Sequence, residues 1–364
     1  MRPETIEELE LIVSEAAASE MKLDLRGGGS KVDIGAPRDA RIVDMTGFSG
    51  ILDYDPAELV LTALAGTPLA EVEAAVAERG QMLAFEPFDH GPMFGRVAGA
   101  ATIGGVIAAG VSGSRRLSRG AARDHLLGFK AVSGRGEAFV GGGKVVKNVT
   151  GYDLSKVMAG SWGRLAALVE VTLKVLPRPQ VVRSLAVEGL DPSAAVALMS
   201  AAMGSQADVA AAGHAPGVTV LRLEGFGPSV EARSVLLQAM SPGLRQLAED
   251  EAETFWARLR NPLPEMAALW RISAPASRAP EVIETLGEGW LMNWAGGMIW
   301  AGSGDAAVRQ AAEAAGGHAM LVRAPEAMRA NIPALHPPAP GVAALEARVR
   351  RGFDPAGVLE TGRF

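Results

Sequence analysis

The chain has 364 residues, 48% hydrophobic and 21% charged, with a formal net charge of −6. That length exceeds what one hydrophobic core usually supports, so two domains are expected, and the acidic balance argues against nucleic acid as a partner. With no cysteine, the chain itself carries no disulfide, thiolate nucleophile, iron–sulfur cluster or cysteine-ligated zinc.

From Thr5 to Ser19, apolar residues at Ile6, Leu9, Ile12, Val13 and Ala16 have helical spacing, with Thr5 as the expected N-cap. This acidic, amphipathic start lacks the basic head and apolar core of a signal peptide. The most apolar stretch, Val97 to Val111, is interrupted by glycines and too short to span a bilayer. A cytoplasmic location is expected, with any attachment to the inner membrane peripheral and made through partner subunits. Leu23 and Leu25 alternate with polar neighbours and read as a strand, which runs into Arg26-Gly27-Gly28-Gly29-Ser30-Lys31. Further strands are expected at Arg41 to Asp44 and Glu58 to Leu64. Thr67 and Pro68 form an N-cap and N1 pair for a helix reaching about Arg79.

Gly128 to Ser133 and Glu137 to Val140 read as a hairpin around Gly134-Arg135-Gly136. Asp153 to Met158 suggests helical turns. Leu165 to Leu176 reads as a strand with a bend at Glu170, stopped by Pro177 and Pro179. Beyond it, alternations at Val181 to Val187 and Val218 to Leu223 interleave with helical patterns at Ala194 to Met203, Val230 to Met240 and Asp305 to Ala315. This mixture fits an α+β domain on an antiparallel sheet. Pro325 to Pro340 reads as irregular and Val342 to Arg351 as a short helix. The expected division is 1–177, 178–330 and a tail, 331–364, that packs back on the fold.

The glycines exclude two common nucleotide loops. Gly143-Lys144 continues into Val145, without the Ser or Thr of a Walker loop. No glycine cluster forms G-x-G-x-x-G, and Gly134-x-Gly136 meets Phe139 where the third glycine belongs. Gly27 to Gly29 reads either as a flexible turn or, with Ser30, as a nest of N–H groups around a pyrophosphate; Lys31 reads as a solvated charge. Thr102-Ile103-Gly104-Gly105, with Gly99, Gly110 and Gly113, is too glycine-rich for an ordinary buried helix. Two such regions point to an extended anionic cofactor gripped by backbone amides from both stretches.

Arg26 to Ser30, Thr102 to Gly105, Gly128-Phe-Lys-Ala-Val132, Gly151 to Ser155, Gly160-Ser-Trp-Gly163 and Thr172 to Val175 together resemble the PCMH-type FAD-binding domain of the vanillyl-alcohol oxidase and p-cresol methylhydroxylase family. Ser112-Gly-Ser-Arg-Arg116, Ala122-Arg-Asp124, Val146-Lys-Asn-Val149-Thr-Gly-Tyr-Asp-Leu154 and Phe353-Asp-Pro355 with Gly362-Arg363 are similar to the E-subunit family of bacterial glycolate oxidases. The resemblance implies an α+β fold, with a two-subdomain FAD-binding domain followed by a smaller α+β cap on an antiparallel sheet. It implies cofactor contacts from Gly27, Gly28, Gly29, Ser30, Thr102, Gly104, Gly105 and Asp124. Ser112 and Gly113 would approach the isoalloxazine, while Gly160, Ser161 and Gly163 would turn the chain so that Leu168 reaches the adenine edge. Gly29-Ser30 stands where some relatives carry a flavin-linking histidine, so FAD is expected to be non-covalent. Glu360-Thr361 departs from the Asn-Pro usual before Gly362-Arg363.

His90, His125, His214, His318 and His336 are scattered without metal-ligand spacing, and the C-terminal histidine-rich motifs of the related catalytic subunits and D-lactate dehydrogenases are absent. No metal site is expected. Arg115 and Arg116 read either as surface charge or as arginines near a flavin or carboxylate, and Lys147 is a similar candidate from the following loop. Trp270-Arg271 and the Trp294 to Trp300 stretch read as core or partner-contact residues. The resemblance implies a glycolate oxidase complex converting glycolate to glyoxylate. There a partner flavin subunit takes hydride from the small 2-hydroxy acid and an iron–sulfur subunit passes electrons on. Two alternatives stay open: a stand-alone FAD oxidoreductase of a small hydroxy acid or alcohol, and a structural subunit without cofactor.

Overall fold

Thr5 opens the first helix as the sequence predicts. Its side chain accepts the N–H of Glu8, and the Glu8 carboxylate accepts the N–H of Thr5, a reciprocal capping box for helix Ile6–Ala18. Leu9, Val13 and Ala16 face inward from it. The computed structural model describes residues 1–143 and 152–364, and these divide into two compact units. The first comprises Met1–Ser112, Gly120–Arg178 and Pro337–Phe364; the second comprises Gly113–Arg119 and Pro179–His336. Residues 331–336, expected with the tail, group with the second unit, as do residues 113–119.

In the first unit a five-stranded antiparallel sheet has the order Ile51–Asp55, Val60–Leu64, Ala166–Lys174, Leu126–Ser133, Ala138–Gly142. Beside it Leu23–Arg26 pairs in parallel with Arg41–Asp44. The irregularity expected at Glu170 is a β-bulge: Lys130 pairs with Glu170 but Ala131 pairs with Leu168. The extra residue reverses the facing of the strand. Ala166 and Leu168 before it, and Val171 and Leu173 after it, therefore join one core, while Ala167 and Val169 join the core of helix Ile6–Ala18. Thr67 does not cap the next helix. Its hydroxyl turns back to Leu64 O at 2.6 Å and Gly50 O at 3.1 Å, and helix Leu69–Ala77 begins after Pro68 without a side-chain cap.

The second unit is built on an eight-stranded, wholly antiparallel sheet. Its order is Arg245–Gln246, Val181–Glu188, Val218–Gly225, Ala211–Ala215, Trp290–Asn293, Met298–Ala301, Leu269–Ser273, His318–Arg323. Helices Pro192–Met203, Ala279–Leu286 and Ala307–Ala314 pack on one face over Trp270, Ile272, Met292, Ile299 and Leu321. The segment expected to be irregular contains a short helix, Glu326–Asn331. Among the described residues, no helix is long and apolar enough to cross a membrane.

Candidate cofactor-binding site

Strand Leu23–Arg26 delivers the chain into Gly27 to Lys31, and this loop packs directly on residues 100–102 of the same unit. A β-carbon at Gly27 would lie 2.2 Å from Thr102 Oγ1. The partner segment is held by Asp89, whose carboxylate accepts the N–H groups of Gly91 at 2.8 Å, Gly99 at 2.8 Å, Ala100 at 3.1 Å and Ala101 at 3.3 Å. Nothing local in the sequence marks Asp89 for this task, because three of the four donors it accepts from lie ten or more residues away.

Thr102 caps helix Ile103–Ala109, accepting the N–H of Gly105 at 3.3 Å. Ile103 N donates to Thr67 O at 2.9 Å and Gly104 N to Ala65 O at 2.8 Å. The expectation of free amides from both glycine stretches therefore needs correction: the helix start is already satisfied by the protein. Among the described residues, no acceptor serves the main-chain N–H groups of Gly28, Gly29, Ser30 and Lys31. Unpaired donors beside a cavity favour an anionic ligand.

The cavity is a half-open cleft, with about 760 Å³ of space between its walls when the part open to solvent is included. It brings together Gly27, Gly28, Gly29, Ser30, Thr102, Gly104, Gly105, Gly163 and Leu168 from the expected set. Gly105 gives it room, since an added β-carbon there would meet only Thr102 Oγ1, at 3.1 Å. Ala108, Ala109, Ala166 and Ala167 make a smooth apolar wall.

Among the described residues, four cations also line the cleft, Arg26, Lys31, Arg38 and Arg363, and no carboxylate does. Lys31 is buried rather than solvated, its Nζ 3.2 Å from Ser30 Oγ. Burial pushes its ammonium down to about 8, further lowered by Arg363 and partly restored by Asp89. Arg363, from the far end of the chain, donates through Nε to Ile34 O at 2.8 Å and through Nη2 to Lys31 O. Burial first, then Arg38, push its guanidinium down to about 9. Behind the wall Asp24 pairs with Arg38 at 2.9 Å and with Arg26 at 2.7 Å. Free amides together with an excess of cations along the lining suit a doubly charged diphosphate.

The remaining expected residues lie elsewhere. Gly160 and Ser161 do not line the cleft. Gly160 N and Trp162 N instead donate to Ile107 O at 3.0 Å and Ala108 O at 2.7 Å, satisfying the last carbonyls of helix Ile103–Ala109. Trp162, which the sequence offered only as part of a motif, is a lining residue. Ser112 Oγ accepts Ala122 N at 3.0 Å, and Asp124 accepts Ala121 N at 2.8 Å; both organise their own loop outside the cleft.

Gly113, Arg115 and Arg116 belong to the second unit. There Gly113 O accepts Trp294 Nε1 at 2.9 Å, and Arg116 lies over the Trp294 ring at 4.6 Å. Arg115 Nε faces both oxygens of the buried Glu224, at 2.8 and 3.1 Å. Lys147, with the rest of 144–151, lies outside the described residues. His214 is a core histidine, 2.8 Å from Thr219 Oγ1 and stacked on Trp290, and burial lowers it to about 4. Among the described residues, no three His, Cys, Asp or Glu are grouped to hold a metal.

The FAD binding domain family matches residues 1–142. Glycolate oxidase subunit GlcE of Escherichia coli K12 is 36% identical over 97% of this chain and 95% of its own length. A D-lactate dehydrogenase of Archaeoglobus fulgidus is 31% identical over 51% of this chain, which spans 40% of that protein. Among solved structures, an alkyldihydroxyacetonephosphate synthase superposes with a TM-score of 0.68 at 15% identity, covering 99% of this chain and 76% of that one, a likeness of fold. The glycine loop, the antiparallel sheets and a similarity that runs end to end converge on one conclusion: the chain belongs to the PCMH-type FAD-binding flavoprotein family.

Proposed function

We propose that this chain is the FAD-carrying E-type subunit of a glycolate-oxidising complex. The observation that carries this reading is the extent of the GlcE similarity, which spans both units rather than the cofactor half alone. A glycolate oxidase subunit of another type, GlcD of Bacillus subtilis, matches only 50% of this chain, at 29% identity.

In this reading the amides of Gly28 to Lys31 hold the diphosphate and the four cations offset its charge. The alanine wall and Leu168 cover the apolar rings, and the flavin is retained without a covalent bond. Bound FAD supplies a two-electron acceptor. Partner subunits complete the complex: a second flavin subunit that takes the small 2-hydroxy acid and an iron–sulfur subunit that passes electrons onward.

The test is copurification of the tagged, full-length chain from its own cells. Recovery of a second flavoprotein and an iron–sulfur protein, with glycolate-dependent dye reduction only in the assembly, is the expected result. A chain that purifies alone and whose flavin bleaches with glycolate supports the stand-alone enzyme instead. A colourless chain that takes up no FAD overturns the cofactor assignment.

A further inference from the structure

The motif formed by Phe353-Asp-Pro355 and Gly362-Arg363 enters the reading above only through the Arg363 charge, yet the structure ties the whole segment to the cleft. Asp354 accepts Val358 N at 2.9 Å and Leu359 N at 2.8 Å, turning the chain back into the first unit. Leu23 N then donates to Val358 O at 2.8 Å, and Lys22 Nζ to Gly357 O at 2.7 Å. Arg164 holds Glu360 through two contacts of 2.9 and 3.2 Å.

Arg363 finishes this strap. Its carbonyl accepts Ala36 N at 3.0 Å and its Nε donates to Ile34 O at 2.8 Å, so main chain and side chain both grip the end of the 27–36 loop. The guanidinium lies over the rings of Trp162 at 5.3 Å and Phe364 at 5.0 Å, in the wall of the cleft. The charged groups around it are Arg38, Arg26, Asp24 and Asp33, with Lys31 on the loop it grips. Both arginines and the lysine line the cleft, whereas neither carboxylate does. Asp24 offsets part of this charge by pairing with both Arg26 and Arg38, and an anion in the cleft relieves the excess that is left.

We propose that Arg363 is a binding residue for the phosphate groups of the cleft's ligand, and that occupancy of the cleft and order of residues 354–364 are coupled. The proposal rests on the reading of this cleft as a dinucleotide site. Because binding linkage is reciprocal, whatever orders the strap raises ligand affinity, and ligand orders the strap.

The test uses the full chain, stripped of flavin, with FAD and inorganic pyrophosphate as separate probes. Arg363→Gln is expected to weaken both about tenfold or more, and Arg363→Lys by less, since it keeps the charge but not the planar fork. Glu360→Gln, which loosens the same strap away from the cleft, is expected to weaken both probes as well, but by less than Arg363→Gln, since it leaves the guanidinium in the lining. In the unaltered chain, amide exchange across 355–364 is expected to slow about tenfold with either probe. Arg363→Gln binding pyrophosphate as well as the unaltered chain does overturns the proposal; so does strap exchange indifferent to ligand in the unaltered chain, a result that needs no variant to fold. If FAD binds normally in Arg363→Gln, the cofactor reading stands and the Arg363 role falls. If pyrophosphate binds through Arg363 while FAD does not bind, the cofactor reading falls alone.

Discussion

Gly28 and Ala100 meet so closely that a β-carbon on the glycine would fall 1.5 Å from the alanine carbonyl oxygen. The missing side chain makes room for the protein's own backbone, not for the ligand. Gly28→Ala is therefore expected to lose about 3 kcal/mol of stability or more, read as a lowered urea midpoint of the flavin-free chain.

Gly105 is the converse case. A β-carbon there would meet only the Thr102 hydroxyl, at 3.1 Å, a side-chain atom that has to shift by a few tenths of an ångström, and the helix gains propensity from losing a glycine. Gly105→Leu is expected to keep its melting temperature within a few degrees while losing most bound flavin, measured by absorbance in the flavin bands. Full flavin occupancy in Gly105→Leu contradicts the placement of the cofactor.

Lys31 gives the flavin-free chain a signature above neutrality. Its folded value of about 8 lies below its ordinary 10.5, so between those values the unfolded chain holds more protons and stability rises with pH. Ligand binding runs the other way, because a phosphate favours the charged ammonium. Melting of the flavin-free chain from pH 8 to 10 is expected to show a stabilising contribution that Lys31→Met removes, while affinity for FAD falls over the same interval.

His214 titrates at the acid end. Its stabilising contribution is complete above its ordinary 6.5 and is lost progressively as pH falls toward about 4, where the buried ring takes a proton. Tryptophan fluorescence reports this unit, since Trp256, Trp270, Trp290, Trp294 and Trp300 all lie in it. His214→Gln is expected to flatten the fluorescence-detected urea midpoint between pH 6.5 and 4.

Glu224 sits between Arg115 at 2.8 Å and Arg222 at 3.0 Å, itself only 1% exposed. Removing Arg115 leaves the carboxylate one partner, and about 1–3 kcal/mol is expected to be lost. Glu224→Ala leaves two facing guanidinium groups and is expected to lose about 3–5 kcal/mol. Urea titrations of both variants, followed by tryptophan fluorescence, decide the order.

Much of this architecture was legible because it is written in local chemistry. Thr5 before an apolar helical spacing announces an N-cap, the glycines at 134 and 136 announce a hairpin, and alternation from Val181 and Val218 announces an antiparallel sheet. The glycine loop was legible for the same reason. The burial of Lys31 is not legible, because a lysine after Gly-Gly-Gly-Ser has the same sequence neighbours whether buried or solvated; the charges that act on it, Asp89 and Arg363, are 58 and 332 positions away. The roles of Asp89 and Arg38 were silent for that reason, as was the satisfaction of the Ile103 and Gly104 amides by carbonyls some 36 to 39 residues upstream.

Residues 113–119 belong to the second unit although the chain on both sides of them belongs to the first. A polypeptide cut to begin at Pro179 would leave Glu224 short of Arg115, Asn293 short of Ser114 at 2.9 Å and the Trp294 indole short of Gly113. The second half of this protein is thus not a detachable module, and dissection by truncation would remove one of its own pieces.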